Sequence, residues 1–121
     1  MKIRHTMLRV KNLQRSVEFY TQHLGMDLMR TRESQARGEH VAYVGYGDED
    51  SNHALEIVEM MEAPAEYVHG NAYGHVALLV DDVQEMSDRL KRSNIEFAHE
   101  PHRTRPGNPN MIAFIKDPDG Y

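Results

Sequence analysis

The sequence carries its own second copy. "HTMLRVKNLQRS" from His5 reads against "HVALLVDDVQEM" from His75, with His5/His75, Leu8/Leu78, Val10/Val80 and Gln14/Gln84 at matching places. Further along, "AYVGYGDED" from Ala42 parallels "AFIKDPDG" from Ala113. The offset of about seventy residues exceeds the roughly 20–50 residues of solenoid repeats. Two such units nearly fill the 121-residue chain. The chain therefore reads as one domain over 1–121 made of two similar half-modules packed together, the first over about 1–65 and the second over about 70–121.

Within each half the elements follow from periodicity and punctuation. Residues 3–10 read as a strand. Asn12 caps a helix whose apolar residues Leu13, Val17, Tyr20 and Leu24 recur at helical spacing, and Gly25 stops it. Strands are expected at 26–31, 40–46 and 53–60. The second half opens with a strand at 74–80. Its helix is capped by Asp82 with Glu85 three residues on, buries a stripe of Val83, Met86 and Leu90, and ends at Asn94. Strands at 95–99 and 111–116 follow, with a loop over 101–109 between them. The class is thus α+β, two paired βαβββ modules, the second one strand short. By the repeat's logic a closing strand belongs after "DPDGY", and without it the second module has an exposed edge.

A net charge of −5 argues against nucleic acid as a partner. No cysteine is present, which excludes disulfides and thiolate chemistry. The start, "MKIRHTMLRV", has no apolar core long enough for a signal peptide or membrane span, so a cytoplasmic protein is expected. Eight histidines are more than structure demands, and raise the question of metal.

Strand side chains alternate between faces. Glu56 shares a face with Ala54, Val58 and Met60, in a strand that is apolar on both sides. A carboxylate there is costly unless it is paired or metal-bound. A structural alternative is pairing with an arginine such as Arg9. His5 and His75 each have a bland reading as hydrogen-bonded strand residues, but they hold the same place in two copies of one module. Packed about a pseudo-two-fold, the copies bring both histidines to a shared cavity. Glu56 closes the first half, and its counterpart would be a Glu on the absent last strand. Two His and two Glu form a mixed nitrogen/oxygen set suited to nickel, cobalt, zinc, iron or manganese. His23, His53, His69, His99 and His102 read as solvated surface or turn residues, and His40 as ambiguous.

"RHTMLRVKNLQRSVEFYTQHLGM", "YVGYG", "LEI", "NAYGHVAL" and "IAFIKDPDGY" together resemble bacterial glyoxalase I (lactoylglutathione lyase), of the vicinal oxygen chelate superfamily. The resemblance is collinear over nearly the whole chain. It implies a homodimer with active sites built across the subunit interface, and a divalent metal: nickel, with cobalt or zinc as alternatives. Metal ligands carry over to His5, Glu56 and His75; the fourth, a Glu three residues past "DPDGY", lies beyond Tyr121, so low or absent activity is expected for these 121 residues alone. Arg9 matches an arginine associated with glutathione's carboxylate, and Arg103 and Arg105 are further candidates for binding an anionic substrate.

The implied reaction is isomerisation of the methylglyoxal–glutathione hemithioacetal to S-lactoylglutathione. In it a metal holds two vicinal oxygens and Glu56 moves a proton between neighbouring carbons. Met60 and Met61 stand about where relatives carry an Asn-Trp pair that helps hold glutathione. Two alternatives therefore stay open: a metal-dependent enzyme of the same fold acting on another substrate or thiol, and a catalytically inactive binding protein.

Overall fold

Alternation along "HTMLRV" puts Leu8 and Val10 on one face and His5, Met7 and Arg9 on the other. Leu8 and Val10 are indeed buried while the other three are exposed. In the computed structural model, which describes residues 1–121, this segment is β1 (His5–Val10). The chain divides into two compact units, Met1–His69 and Gly70–Tyr121.

In the first unit β1 is followed by α1 (Leu13–Glu18), which runs into a π-helical turn at Phe19–His23, and by β2 (Asp27–Ser34), β3 (Glu39–Gly45) and β4 (Ala54–Met60). The four strands form one sheet in the order β1-β4-β3-β2, with β1 and β4 parallel and the other pairs antiparallel. Helix α1 packs against β3 and β4. It covers the face of Leu8, Val10, Ala42, Val44, Leu55 and Ile57, all buried. Ser16, wholly buried, lets the helix backbone approach the sheet closely.

The expected helical stripe is displaced. Leu13 and Val17 are only partly buried, whereas Phe19 joins Tyr20 and Leu24 in the core. The wider π turn delays rotation of the helix face, so two adjacent aromatics both reach the interior. Gly25, at φ +71°, then turns the chain in the left-handed region and lets the Met26 N–H reach the Tyr20 carbonyl at 3.1 Å.

The start of α1 is capped twice. Asn12 Oδ1 accepts from the Arg15 N–H at 2.7 Å, as its position predicts, and Glu59 Oε2, from β4, accepts from the Leu13 N–H at 2.7 Å. The second cap satisfies an amide that helix geometry leaves orphaned and brings negative charge to the positive helix end. Glu59→Ala is expected to cost about 1 kcal/mol in urea unfolding; no loss would show that Asn12 caps the helix alone.

Glycine at position 45 has a steric cause. A Cβ there would lie 2.8 Å from Met29 Cε and 3.0 Å from the His53 carbonyl oxygen.

In the second unit α2 (Val83–Arg92) packs on a two-stranded antiparallel sheet of β5 (Phe97–Arg103) and β6 (Met111–Ile115). Asp82 caps α2, its Oδ1 accepting from the Glu85 N–H at 2.9 Å. Asn94, at φ +57°, closes it: the Ile95 N–H bonds the Leu90 carbonyl at 3.1 Å and the Asn94 N–H bonds that of Lys91 at 2.9 Å. Both bonds belong to the Schellman arrangement. Ser87 and Leu90 are buried, while Val83 and Met86 are only partly so.

Two expectations fail here. Strand β5 continues through Pro101, His102 and Arg103, which read as loop in the sequence. A register shift between His99 and His102 takes the proline out of the ladder, where its missing N–H does no harm. His99 and His102 thus stand on a strand and not in turns. The stretch 74–80 has a strand's alternation but joins no ladder. In the first unit the corresponding strand, β1, pairs with β4 alone. In the second unit the ladder is β5 with β6 alone, and 74–80 runs outside it.

"DPDGY" forms a self-organised turn. Asp117, buried, accepts through Oδ1 from the N–H groups of Asp119 and Tyr121, each at 2.9 Å. The Tyr121 ring meets Tyr73 edge to face, with centroids 5.0 Å apart.

Candidate functional site

The face of the first unit's sheet opposite α1 collects the polar side chains. Register sets His5 beside Ala54, Met7 beside Glu56, and Tyr43 beside Glu56 on the other flank. His5 and Glu56, singled out from the sequence, are brought together: His5 Nε2 lies 3.2 Å from Glu56 Oε2. Their side chains are 38% and 14% exposed, so the carboxylate is largely withdrawn from water while the imidazole stays reachable.

Glu56's other oxygen is engaged from the opposite side. The Tyr43 hydroxyl donates to Oε1 at 2.5 Å, and Arg32 NH2 lies 3.6 Å from the same atom. An arginine near Glu56 is therefore Arg32 of β2, which the sequence did not single out. Arg32 also pairs with Glu39 at 3.0 Å, and this bond raises its affinity for its proton. Neighbouring Arg30 donates to both oxygens of Glu49, at 2.7 and 2.9 Å, and its guanidinium sits 3.5 Å above the Tyr43 ring. The Arg30–Glu49 bond raises the arginine's pKa and lowers the carboxylate's.

The donor set fits a borderline divalent cation. An imidazole nitrogen and a carboxylate oxygen 3.2 Å apart are the mixed nitrogen/oxygen donors that such an ion would take. Oε1 already has its donor, so Oε2 is the oxygen left to bind. Within the first unit these two are the ligands brought together, and no third His, Asp or Glu of that unit joins them.

His75, the third expected ligand, belongs to the second unit, where its ring meets Phe114 edge-on at 5.6 Å. Phe114 meets His99 at 5.4 Å. Arg9 is exposed on the His5 face of β1. Arg103 is committed elsewhere: its NH1 donates to the carbonyls of Asn108 and Pro109 at 2.6 and 2.8 Å, bracing the loop after β5. Arg105 lies exposed in that loop. Of the remaining histidines, His53 bonds Thr6 Oγ1 at 3.0 Å and His40 lies 3.6 Å from Glu33, both structural pairings.

Sequence reasoning missed Tyr43, Arg30 and Arg32. Tyr43 stood in "YVGYG" as part of a motif only; the signal that could have found it was alternation in β3, which puts it on the Glu56 face once β3 and β4 are paired.

A four-stranded βαβββ unit with a His–Glu pair on the face away from its helix is the arrangement of a recognised class. The chain belongs to the Glyoxalase/Bleomycin resistance protein/Dioxygenase superfamily, whose family model matches residues 2–121. Within it, the chain is 43% identical over 120 residues to a probable lactoylglutathione lyase of Vibrio cholerae, covering 99% of this chain and 86% of the relative. It is 42% identical over 121 residues to the lactoylglutathione lyase of Salmonella typhimurium, covering 100% and 88%. Among solved structures, the trypanothione-dependent glyoxalase I of Leishmania major superposes with a TM-score of 0.86 at 34% identity, covering 100% of this chain and 82% of that one. Glyoxalase I of Zea mays gives 0.90 at 32% identity, with 99% of this chain spanning 42% of the longer maize chain.

Proposed function

We propose that the chain isomerises the hemithioacetal of methylglyoxal and glutathione to S-lactoylglutathione, at a divalent metal held by His5, Glu56 and His75. The observation that carries this reading is the His5–Glu56 pair, 3.2 Å apart on the sheet face away from α1, in a close homologue of lactoylglutathione lyases. The family is metal-dependent. Nickel is the ion proposed, with cobalt or zinc as alternatives. His5 and Glu56 meet within the first unit, and the reading includes a homodimer with active sites built across the subunit interface. No helix is long and apolar enough to cross a membrane. A thiol-dependent reaction of this kind belongs in the cytoplasm, where glutathione is kept reduced.

When bound, the cation stabilises negative charge developing on the substrate's vicinal oxygens. Glu56 takes the carbon-bound proton and returns it to the neighbouring carbon, so one carboxylate serves as base and then as acid. Its low exposure limits loss of that proton to bulk water. Arg9, on the same face of β1, is proposed to meet the carboxylates of glutathione.

A second reading keeps the chemistry and changes the thiol. Met60 packs against the buried Val41, Tyr43, Ala54 and Val58 cluster, so an apolar side chain stands where an amide for glutathione is expected. One experiment addresses both readings: load the purified protein with nickel, cobalt or zinc, then follow methylglyoxal consumption with glutathione and with other low-molecular-weight thiols. Metal uptake is expected, with turnover of the glutathione adduct that is low but above that of the metal-free protein. Turnover only with another thiol would transfer the assignment to the second reading, and a protein that neither takes up metal nor turns over any thiol adduct would overturn both.

A further inference from the structure

We infer that Tyr43 is a positioning residue that divides the two oxygens of Glu56, holding Oε1 for the protein and leaving Oε2 for the cation. This rests on the metal-dependent reading above. A carboxylate's terminal torsion is broad and cheap to rotate, so a Glu on an open sheet face does not present one particular oxygen unless something fixes it. Tyr43 supplies the fixation at 2.5 Å, a short charge-assisted bond, with Arg32 adding positive charge at 3.6 Å.

The tyrosine is itself held from three sides. Its ring is buried among Val41, Ala54 and Val58. Arg30, locked to Glu49 through both carboxylate oxygens, lies 3.5 Å over the ring. His5 meets the ring edge-on at 5.7 Å and 78°. A continuous series Arg30–Tyr43–Glu56–His5, anchored by Glu49 of the loop between β3 and β4, thus crosses the sheet from β2 through β3 and β4 to β1. It sets the pair's geometry from the strand ladder. A Tyr present only for packing would need no hydroxyl at this point, and Phe would fill the same space.

The test is Tyr43→Phe in the intact protein, which keeps the ring, the Arg30 stacking and the His5 contact and removes the hydroxyl, with its bond to Glu56 and its contacts to Arg30 and Arg32. Affinity for nickel and cobalt, read by competition with a chelator, is expected to fall about 10–100-fold. The visible absorption of the cobalt-loaded protein should change as Glu56 is freed to bind through either oxygen. kcat should fall while KM for the hemithioacetal stays near wild type. Arg30→Gln, which releases the ring but keeps the hydroxyl, should move the cobalt spectrum the same way by less. Val41→Ala, a packing change in the same cluster, should lower the melting temperature and leave the spectrum alone. Wild-type affinity and an unchanged cobalt spectrum in Tyr43→Phe would overturn the role of Tyr43 while the metal assignment stands. A wild-type protein that takes up no metal would overturn both.

Discussion

Glu56→Gln is expected to lower kcat/KM by at least about 10³-fold while the melting temperature stays within a few degrees of wild type. The amide has the shape of the carboxylate, and its oxygen can still accept from the Tyr43 hydroxyl at the position Oε1 now holds. It cannot take a proton from carbon, and it is a poorer metal ligand than an anion. The pairing with His5 at 3.2 Å and the Arg32 contact at 3.6 Å weaken, but both are partly exposed and contribute little to folding. Steady-state kinetics and thermal unfolding on the same preparation check both halves of the expectation. A variant with near-normal turnover would show that the base lies elsewhere.

Ile57→Ala, one residue along the same strand, should do the opposite. Ile57 is wholly buried on the face that α1 covers. Truncating it removes apolar contact and leaves a cavity, which costs about 2–5 kcal/mol. That is a large share of the roughly 5–15 kcal/mol that holds a domain together. Urea unfolding should show a lower midpoint, while the folded fraction keeps specific activity close to wild type because the Glu56 face is untouched. A loss under about 1 kcal/mol would mean that the sheet's helix-covered face is not the core of this unit. Neighbours in sequence thus separate chemistry from stability, since a strand sends them to opposite sides.

What could be read from the sequence was local. Asn12 and Asp82 announced their helices because a short polar side chain ahead of an apolar repeat has one common use. Alternation in "HTMLRV" sorted buried from open positions, and in "ALEIVEM", buried on both faces, it set Glu56 on the side where His5 meets it. What could not be read depends on pairs distant in the chain. Glu59 caps α1 because β4 returns beside β1. Tyr43 finds Glu56 because β3 pairs with β4 in one register. Strand β5 runs past Pro101 because a register shift excuses the missing N–H. The stretch 74–80 shows the converse: a strand's pattern is necessary for a ladder but cannot supply the neighbour.

The two free borders of the β5–β6 sheet are unlike. That of β5 carries Pro101 and the charged Glu100 and Arg103, features that discourage another strand from adding there. That of β6 is an uninterrupted apolar run, Met111–Ile115, with no proline and no charge. Growth of this sheet is therefore directional. Any segment that extends it, from this chain or from another molecule, meets an obstacle on one side and a receptive row of amides and carbonyls on the other.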